Sequence, residues 1–174
     1  MNIGWQLENA VLVQAPAWLV WQMLLDVLHW PSSGTVGLHV ARCASPGLPS
    51  HFSYTIKPLG LPIRVKAQLE NARVMQQLSW QGRFWGITSH VRVNLAVEDM
   101  GSTRVSFQER LSGVGLLLFS SLFSMQRLVA LNQKWLTALG QEMEARARQL
   151  ATADLSPITL SSCREKTIED SEIG

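Results

Sequence analysis

The chain lacks the features that mark several common functional classes. Its 174 residues include only two cysteines, Cys43 and Cys163, too few for the disulfide framework of a small secreted protein. Charged residues make up 16% of the chain and the net charge is +2, so the composition does not predict binding to nucleic acid. An uninterrupted run of about 20 apolar residues is absent, so no stable membrane insertion is expected.

Signals for targeting, metals and nucleotides are missing as well. The first residues show no basic segment followed by an apolar run, so we expect no secretory leader and a soluble, cytoplasmic protein. The four histidines do not occur at a metal-ligand spacing, and neither a G-x-S-x-G elbow nor a phosphate-binding loop is present. The sequence therefore predicts no metal and no cofactor.

Composition divides the chain into a body and a tail. The body, residues 1–151, is expected to fold as one domain, since apolar residues make up 47% of the whole chain and can form a sizeable core. The tail, residues 152–174, holds five acidic and two basic residues without apolar periodicity. We expect this polar tail to be disordered.

Periodicity in the body predicts an α+β fold. An Ala-Pro pair at residues 15–16 is typical of a helix start, and Pro31 and Gly34 would end that helical stretch. Alternating apolar and polar residues predict half-buried antiparallel strands. The predicted strands cover residues 5–14, 38–43, 51–57, 63–72, 76–83, 90–97 and 104–111. An apolar stripe predicts a long helix from Leu116 to about Leu150, so we expect one twisted antiparallel sheet crossed by that helix, with two short helices after the first strand.

Three stretches of the body together resemble a known superfamily. Residues 15–31 run from an Ala-Pro pair through a helical segment to an aromatic-Pro stop, and residues 78–82 read L-x-W-x-G. Residues 101–113 are similar to a G-T-R-V … E-x-x-x-G hairpin, with Ser102 between the glycine and the threonine. In order and spacing these stretches resemble the START-like (SRPBCC) superfamily, and within it the polyketide cyclase/dehydrase and lipid-transport family.

The resemblance implies a helix-grip fold, in which a curved sheet wraps around the long helix and leaves an apolar cavity. Proteins of this kind bind sterols, lipids, polyketides, quinones or plant hormones, and some catalyse cyclisation or dehydration of the bound molecule. The chain is therefore expected to bind a hydrophobic, polyketide-like or lipid-like molecule and to assist such a step by orientation and acid/base help. A non-catalytic lipid, sterol or quinone carrier or sensor is the alternative. A third option is an interaction protein whose cavity is filled.

Strand and helix periodicity identifies apolar side chains that would line the cavity or simply form core. These residues are Leu69, Leu78, Trp80, Val93, Leu95 and Phe107 on the strands and Met125 and Val129 on the long helix. A further apolar segment, residues 113–119, would serve as the cavity entrance, a homodimer contact or an edge that touches a membrane.

Three polar residues are candidates for catalysis. Glu109 shares the strand parity of Phe107 and Leu111, so its carboxyl group should point inward and could act as a general acid or base with a raised pKa. An exposed strand end or an arginine partner would instead make Glu109 structural. Tyr54, the only tyrosine, could orient a ligand carbonyl, and Asn132 could bond a ligand, although either could be satisfied within the protein.

Overall fold

Seven strands and three helices form the part of the chain that the computed structural model describes, residues 4–26, 36–39, 50–56, 62–122 and 124–154. In chain order they are β1 (Gly4–Val13), α1 (Ala17–Leu25), β2 (Val36–His39), β3 (His51–Ile56), β4 (Ile63–Arg73), β5 (Gln77–Phe84), β6 (Ile87–Asp99), β7 (Ser102–Ser112), α2 (Gly115–Leu122) and α3 (Met125–Asp154).

All of these strands belong to one antiparallel sheet in the order β1-β7-β6-β5-β4-β3-β2. Strands that are consecutive in the chain are also neighbours in the sheet, except that β1 pairs with β7 and not with β2. The register shifts between Leu69 and Asn71 in β4 and between Val97 and Asp99 in β6. Such irregularities bend strands and increase their twist, and the sheet curves around α3.

Helix α3 lies along β1 on the concave face of the sheet. Its first half contacts β1 through Gln133, which accepts a hydrogen bond from Asn9. Its second half lies close to β1 at Gly140, where an added Cβ would lie 3.4 Å from a methyl group of Val13. Farther along, the backbone N–H of Gln14 donates to the Glu144 carboxylate. The helix and the strand therefore run in the same direction.

Apolar side chains of the sheet and of the helices form two clusters. The larger cluster contains Val13, Ala15, Leu19, Val20, Trp21, Leu24, Phe52, Ala67, Leu78, Trp80, Val91, Val93, Val105, Phe107, Trp135, Leu136, Leu139 and Met143. The smaller cluster contains Leu7, Ile63, Val65, Phe84, Ile87, Leu111, Leu116 and Leu128. Tyr54 packs against both clusters and therefore lies at their boundary. Burial of this apolar surface is the main favourable term in folding.

The predicted α+β architecture is confirmed, with a difference in the last third of the chain. The helix expected over residues 116–150 is divided into α2 and α3. Ser124 explains the start of α3, because its hydroxyl and carbonyl oxygens both accept from the backbone N–H of Arg127, as in a helix N-cap. Helix α3 continues to Asp154, so the first residues of the expected tail are helical.

Several sequence predictions lie outside the described residues. These are the end of the helical stretch expected to stop at Pro31 and Gly34, in residues 27–35, the end of the strand predicted over residues 38–43, and residues 155–174 of the tail. Of the two short helices expected after β1, the described residues contain α1. Among the described residues, no helix combines the length and the apolar character needed to cross a membrane.

Candidate functional site

Glu109 is an inward-facing carboxyl group on β7, the second strand from the β1 edge of the sheet. On β7 it pairs with Leu7 of β1 on one side and with Val91 of β6 on the other. The Ser89 hydroxyl donates to Oε1 at 2.6 Å, and the Asn132 amide donates to Oε2 at 2.8 Å. The strand parity of Glu109 predicted this inward orientation. The two groups that bond its carboxyl group, the Ser89 hydroxyl and the Asn132 amide, are both neutral.

Burial dominates the electrostatics of Glu109. Desolvation raises the pKa of its carboxyl group, because surroundings of low polarity disfavour the charged form, while the hydrogen bonds from Ser89 and Asn132 oppose the rise. The ion pairs between described residues join His90 to Glu70, Arg104 to Glu98 and Arg148 to Glu144, and none of them includes Glu109. A carboxyl group with a raised pKa can hold and release a proton closer to neutral pH.

Tyr54 faces the same interior from β3. A Cβ built on Gly82 would lie 3.4 Å from the Tyr54 hydroxyl and 3.7 Å from the Cβ of Ser89, so the phenol end lies over this glycine. Burial and then the charge of Glu109 raise the pKa of Tyr54, while a hydrogen bond with Trp80 lowers it. The phenol therefore stays protonated and is electrostatically coupled to Glu109.

A chain of aromatic rings in contact crosses the interior from β3 to α3. Phe52 and Trp80 meet edge to face at 6.0 Å between centroids, Trp80 and Phe107 at 6.4 Å, and Phe107 and Trp135 at 5.6 Å. Tyr54 stacks on Phe52 at 6.1 Å. Because Trp135 belongs to α3, these contacts connect the sheet to the helix.

The three residues predicted to be catalytic come together, whereas the eight apolar residues predicted to contact a ligand do not share one environment. Glu109 and Asn132 are hydrogen-bonded, and Tyr54 is coupled to Glu109. Of the apolar residues, Leu78, Trp80, Val93 and Phe107 are buried in the larger cluster, Leu69 and Leu95 pack against its edge, Val129 packs against the smaller cluster, and Met125 is 41% exposed at the start of α3.

Sequence reasoning missed two polar residues on the concave face. Ser89, which holds Glu109, has the same parity as Val91, and Asn9 has the same parity as Leu7, so alternation alone could have identified both. The Asn9 amide donates to the Val129 carbonyl at 3.3 Å and to the Gln133 side chain at 2.9 Å. Within the described part of the chain its own carbonyl oxygen accepts no hydrogen bond.

Two hollows open on the surface of the described structure. One, of about 420 Å³, lies on the outer face of the sheet, and its lining includes Glu109 and Val91 together with polar side chains such as Gln6, Arg92 and Gln108. The other, of about 320 Å³, lies between α1 and α3 and is lined by Leu19, Leu139 and several polar side chains. No group of three or more histidine, cysteine, aspartate or glutamate residues in the described ranges is placed to hold a metal ion.

Solved structures similar to this chain share its architecture. A START superfamily protein from Mycobacterium smegmatis is 15% identical, with a TM-score of 0.62 over 83% of this chain and 98% of that one. The Zhui aromatase/cyclase from Streptomyces sp. R1128 is 15% identical, with a TM-score of 0.64 over 85% and 98%. Norcoclaurine synthase from Thalictrum flavum, in complex with dopamine and hydroxybenzaldehyde, is 13% identical, with a TM-score of 0.58 over 80% and 86%.

No protein-family model matches the chain, and no curated protein matches its sequence. At identities this low, the structural likeness establishes the fold, and function has to be argued from the site.

Proposed function

We propose that this chain, which has the START-like helix-grip fold, binds a hydrophobic small molecule between the concave face of its sheet and α3. Glu109 then assists cyclisation or dehydration of that molecule as a general acid and base. The observation that carries the proposal is the Glu109 carboxyl group itself, which faces the interior and is held by the neutral side chains of Ser89 and Asn132. A buried carboxyl group without a cation is costly to keep, and such groups cluster at functional sites.

Partial accessibility of the polar residues supports a space for a ligand. Glu109, Tyr54 and Asn132 all face the interior, yet each is only half-buried. Side chains in a close-packed core lose nearly all of their accessible surface. Their partial accessibility therefore supports incomplete packing around these three side chains, although Glu109 also lines the hollow on the outer face of the sheet.

The proposed chemistry consists of a ring closure and a dehydration, and in each reaction Glu109 moves a proton. For ring closure, the Glu109 carboxylate removes a proton from the carbon next to a ketone, and the resulting enolate attacks a second carbonyl carbon. The protonated carboxyl group then gives its proton to the new alkoxide. For dehydration, the regenerated carboxylate removes a second α-proton, and the protonated carboxyl group gives that proton to the hydroxyl group, which leaves as water. Tyr54 would donate a hydrogen bond to the ketone oxygen, and Asn132 would position Glu109.

The structural neighbours include proteins with related chemistry. One is named an aromatase/cyclase, and another is a synthase solved with dopamine and hydroxybenzaldehyde. These names support a ring-bearing ligand for the present chain. The aromatic chain from Phe52 to Trp135 favours the second candidate function, a carrier without catalysis, because rings that occupy the middle of the interior leave less room to fold a long substrate.

Native mass spectrometry of the purified protein would first identify a compound that copurifies with it. Catalysis would then be tested with 2-tetralone, a bicyclic ketone, by following exchange of its α-protons in heavy water by NMR. Glu109→Gln should slow the exchange by about 100-fold or more, as expected for loss of a general base, while the ketone still quenches tryptophan fluorescence. Glu98→Gln, at an exposed carboxylate on β6, is the matched control and should exchange at the wild-type rate.

The outcomes separate the two candidates. Equal exchange by wild-type protein and Glu109→Gln would remove Glu109 from the mechanism. Binding without exchange above the buffer rate would identify a carrier. Absence of both binding and a copurifying compound would refute the proposal as a whole.

A further inference from the structure

The turn between β5 and β6 presents a tryptophan to solvent in an unfavourable conformation. Trp85 and Gly86 are the two turn residues, and both have positive φ values, 44° and 71°. Two-residue turns of this kind favour asparagine followed by glycine, because a bulky side chain is strained in the left-handed region. Trp85 is nevertheless 61% exposed. Folding therefore gains little from an indole at this position.

Exposed apolar side chains of α2 and the segment before it lie next to this turn. The backbone N–H of Gly115 donates to the Gly86 carbonyl at 3.3 Å, and a Cβ on Gly86 would lie 3.6 Å from a Val114 methyl group. Val114 is 82% exposed, Leu117 59% and Leu118 76%. We call Trp85, Val114, Leu117 and Leu118 the apolar tip. A contiguous exposed group of large apolar side chains marks an interaction surface.

Two basic side chains lie beside the apolar tip. Lys66 of β4 and Arg83 of β5 are directly paired across the strands on the outer face of the sheet, and both are exposed. Arg83 is two residues from Trp85 and donates through Nε to the Gln81 side chain. Neither Lys66 nor Arg83 takes part in the ion pairs between described residues, which join His90 to Glu70, Arg104 to Glu98 and Arg148 to Glu144. Their positive charge is therefore not neutralised by a neighbouring carboxylate in that part of the chain.

We propose that the apolar tip docks reversibly on an anionic lipid surface. Tryptophan and leucine enter the boundary between headgroups and acyl chains, and adjacent lysine and arginine side chains attract anionic headgroups. The charge complementarity of Lys66 and Arg83 favours a lipid surface over an uncharged partner. The tip is a peripheral contact, in keeping with the absence of a membrane-spanning helix from the described residues. This inference goes beyond the proposed function and does not depend on which ligand the interior binds.

Flotation of the full chain with lipid vesicles tests the apolar part of the tip. Wild-type protein should bind vesicles of equal parts phosphatidylcholine and phosphatidylglycerol. The double variant Leu117→Ser/Leu118→Ser and the variant Trp85→Asn should each bind about tenfold more weakly. Trp85→Asn should also unfold at a higher urea concentration, because asparagine suits the turn, so weaker binding cannot be attributed to a damaged fold. Val97→Ser/Met100→Ser removes exposed apolar side chains at the other end of β6 and should bind as wild type.

A second pair of variants tests the charge. Lys66→Gln/Arg83→Gln should weaken binding to the anionic vesicles about tenfold and leave the weaker binding to pure phosphatidylcholine vesicles unchanged. The control Arg104→Gln/Arg148→Gln removes two exposed cations remote from the tip and should lose little affinity.

Three results would overturn the proposal. The first is wild-type protein that fails to bind anionic vesicles. The second is a set of tip variants that bind as well as wild type. The third is that the wild-type protein does not bind vesicles and is a dimer by sedimentation velocity, whereas Leu117→Ser/Leu118→Ser is a monomer. That result would make the apolar tip a contact between two copies of the chain.

Discussion

Replacing Glu109 with glutamine should change how the stability of the protein depends on pH. The carboxyl group has an ordinary pKa of 4.5, and burial raises this value in the folded protein. Below the ordinary value the group is protonated in both the folded and the unfolded chain, so it contributes no pH dependence. Between the ordinary and the raised pKa, the unfolded chain loses the proton and the folded protein keeps it. Folding therefore becomes less favourable as the pH rises through this window.

The size of the effect follows from linkage. One proton bound only by the folded state changes the free energy of unfolding by about 1.4 kcal/mol per pH unit. Glutamine has no such proton, so Glu109→Gln loses this part of the pH dependence. At low pH the variant should be near wild type or slightly less stable, because its amide can still accept from Ser89 and can pair with Asn132 if the latter reverses its side chain. The variant should then gain on wild type as the pH rises above about 4.5.

Urea denaturation of both proteins at a series of pH values from acid to slightly alkaline measures this difference. The matched control is Glu70→Gln, whose carboxylate is exposed on the outer face and lies 3.4 Å from His90. Two results would refute the reasoning. A difference between wild type and Glu109→Gln that is independent of pH would mean that the buried carboxyl group titrates as it does in water. A difference of opposite sign would mean that the hydrogen bonds from Ser89 and Asn132 outweigh burial.

Three further predictions follow from close contacts in the interior, each measured as the free energy of unfolding in urea. Gly82→Ala should cost about 1–3 kcal/mol, because the new methyl group would lie 2.7 Å from a Val65 methyl carbon, whereas Gly101→Ala in the open turn before β7 should be nearly neutral. Thr103→Val should cost about 1–3 kcal/mol, because the buried Ala15 carbonyl loses its donor at 2.9 Å. Phe107→Ala should cost about 3–5 kcal/mol, since its ring contacts aromatic rings on both the sheet and α3. A cost near zero for any of these three interior variants would contradict the packing described here.

Much of the sheet could be predicted from the sequence because alternation is a local signal. In β7, Val105, Phe107 and Leu111 alternate with polar residues, and the structure buries all three. The same parity placed Glu109 inside. The apolar stripe of α3 likewise predicted the inward position of Asn132. These inferences needed no knowledge of which strands pair.

The contacts between elements could not be predicted in this way. Ser89 and Glu109 are 20 residues apart, and their hydrogen bond depends on the register of β6 against β7. The break between α2 and α3 depends on Ser124, whose hydroxyl competes for a backbone N–H that a continuous helix would use. The exposure of Trp85 depends on a two-residue turn within residues 84–89, for which the sequence pattern predicted no helix or strand. Each of these features depends on backbone geometry or on contacts between segments, which the residue pattern of one segment does not show.

The close approach of α3 at Gly140 has a consequence for the shape of the interior. A residue without a side chain lets the helix backbone settle near Val11 and Val13, where little room remains. Toward the other end of the helix, the amide side chains of Asn9 and Gln133 reach across to each other. The helix is therefore held against β1 at two levels, by close apolar contact at Gly140 and by amide hydrogen bonds at Asn9. A longer side chain at position 140 would push α3 away from Val11 and Val13. Under the proposed function, this change should alter which guest molecules fit without changing a polar group.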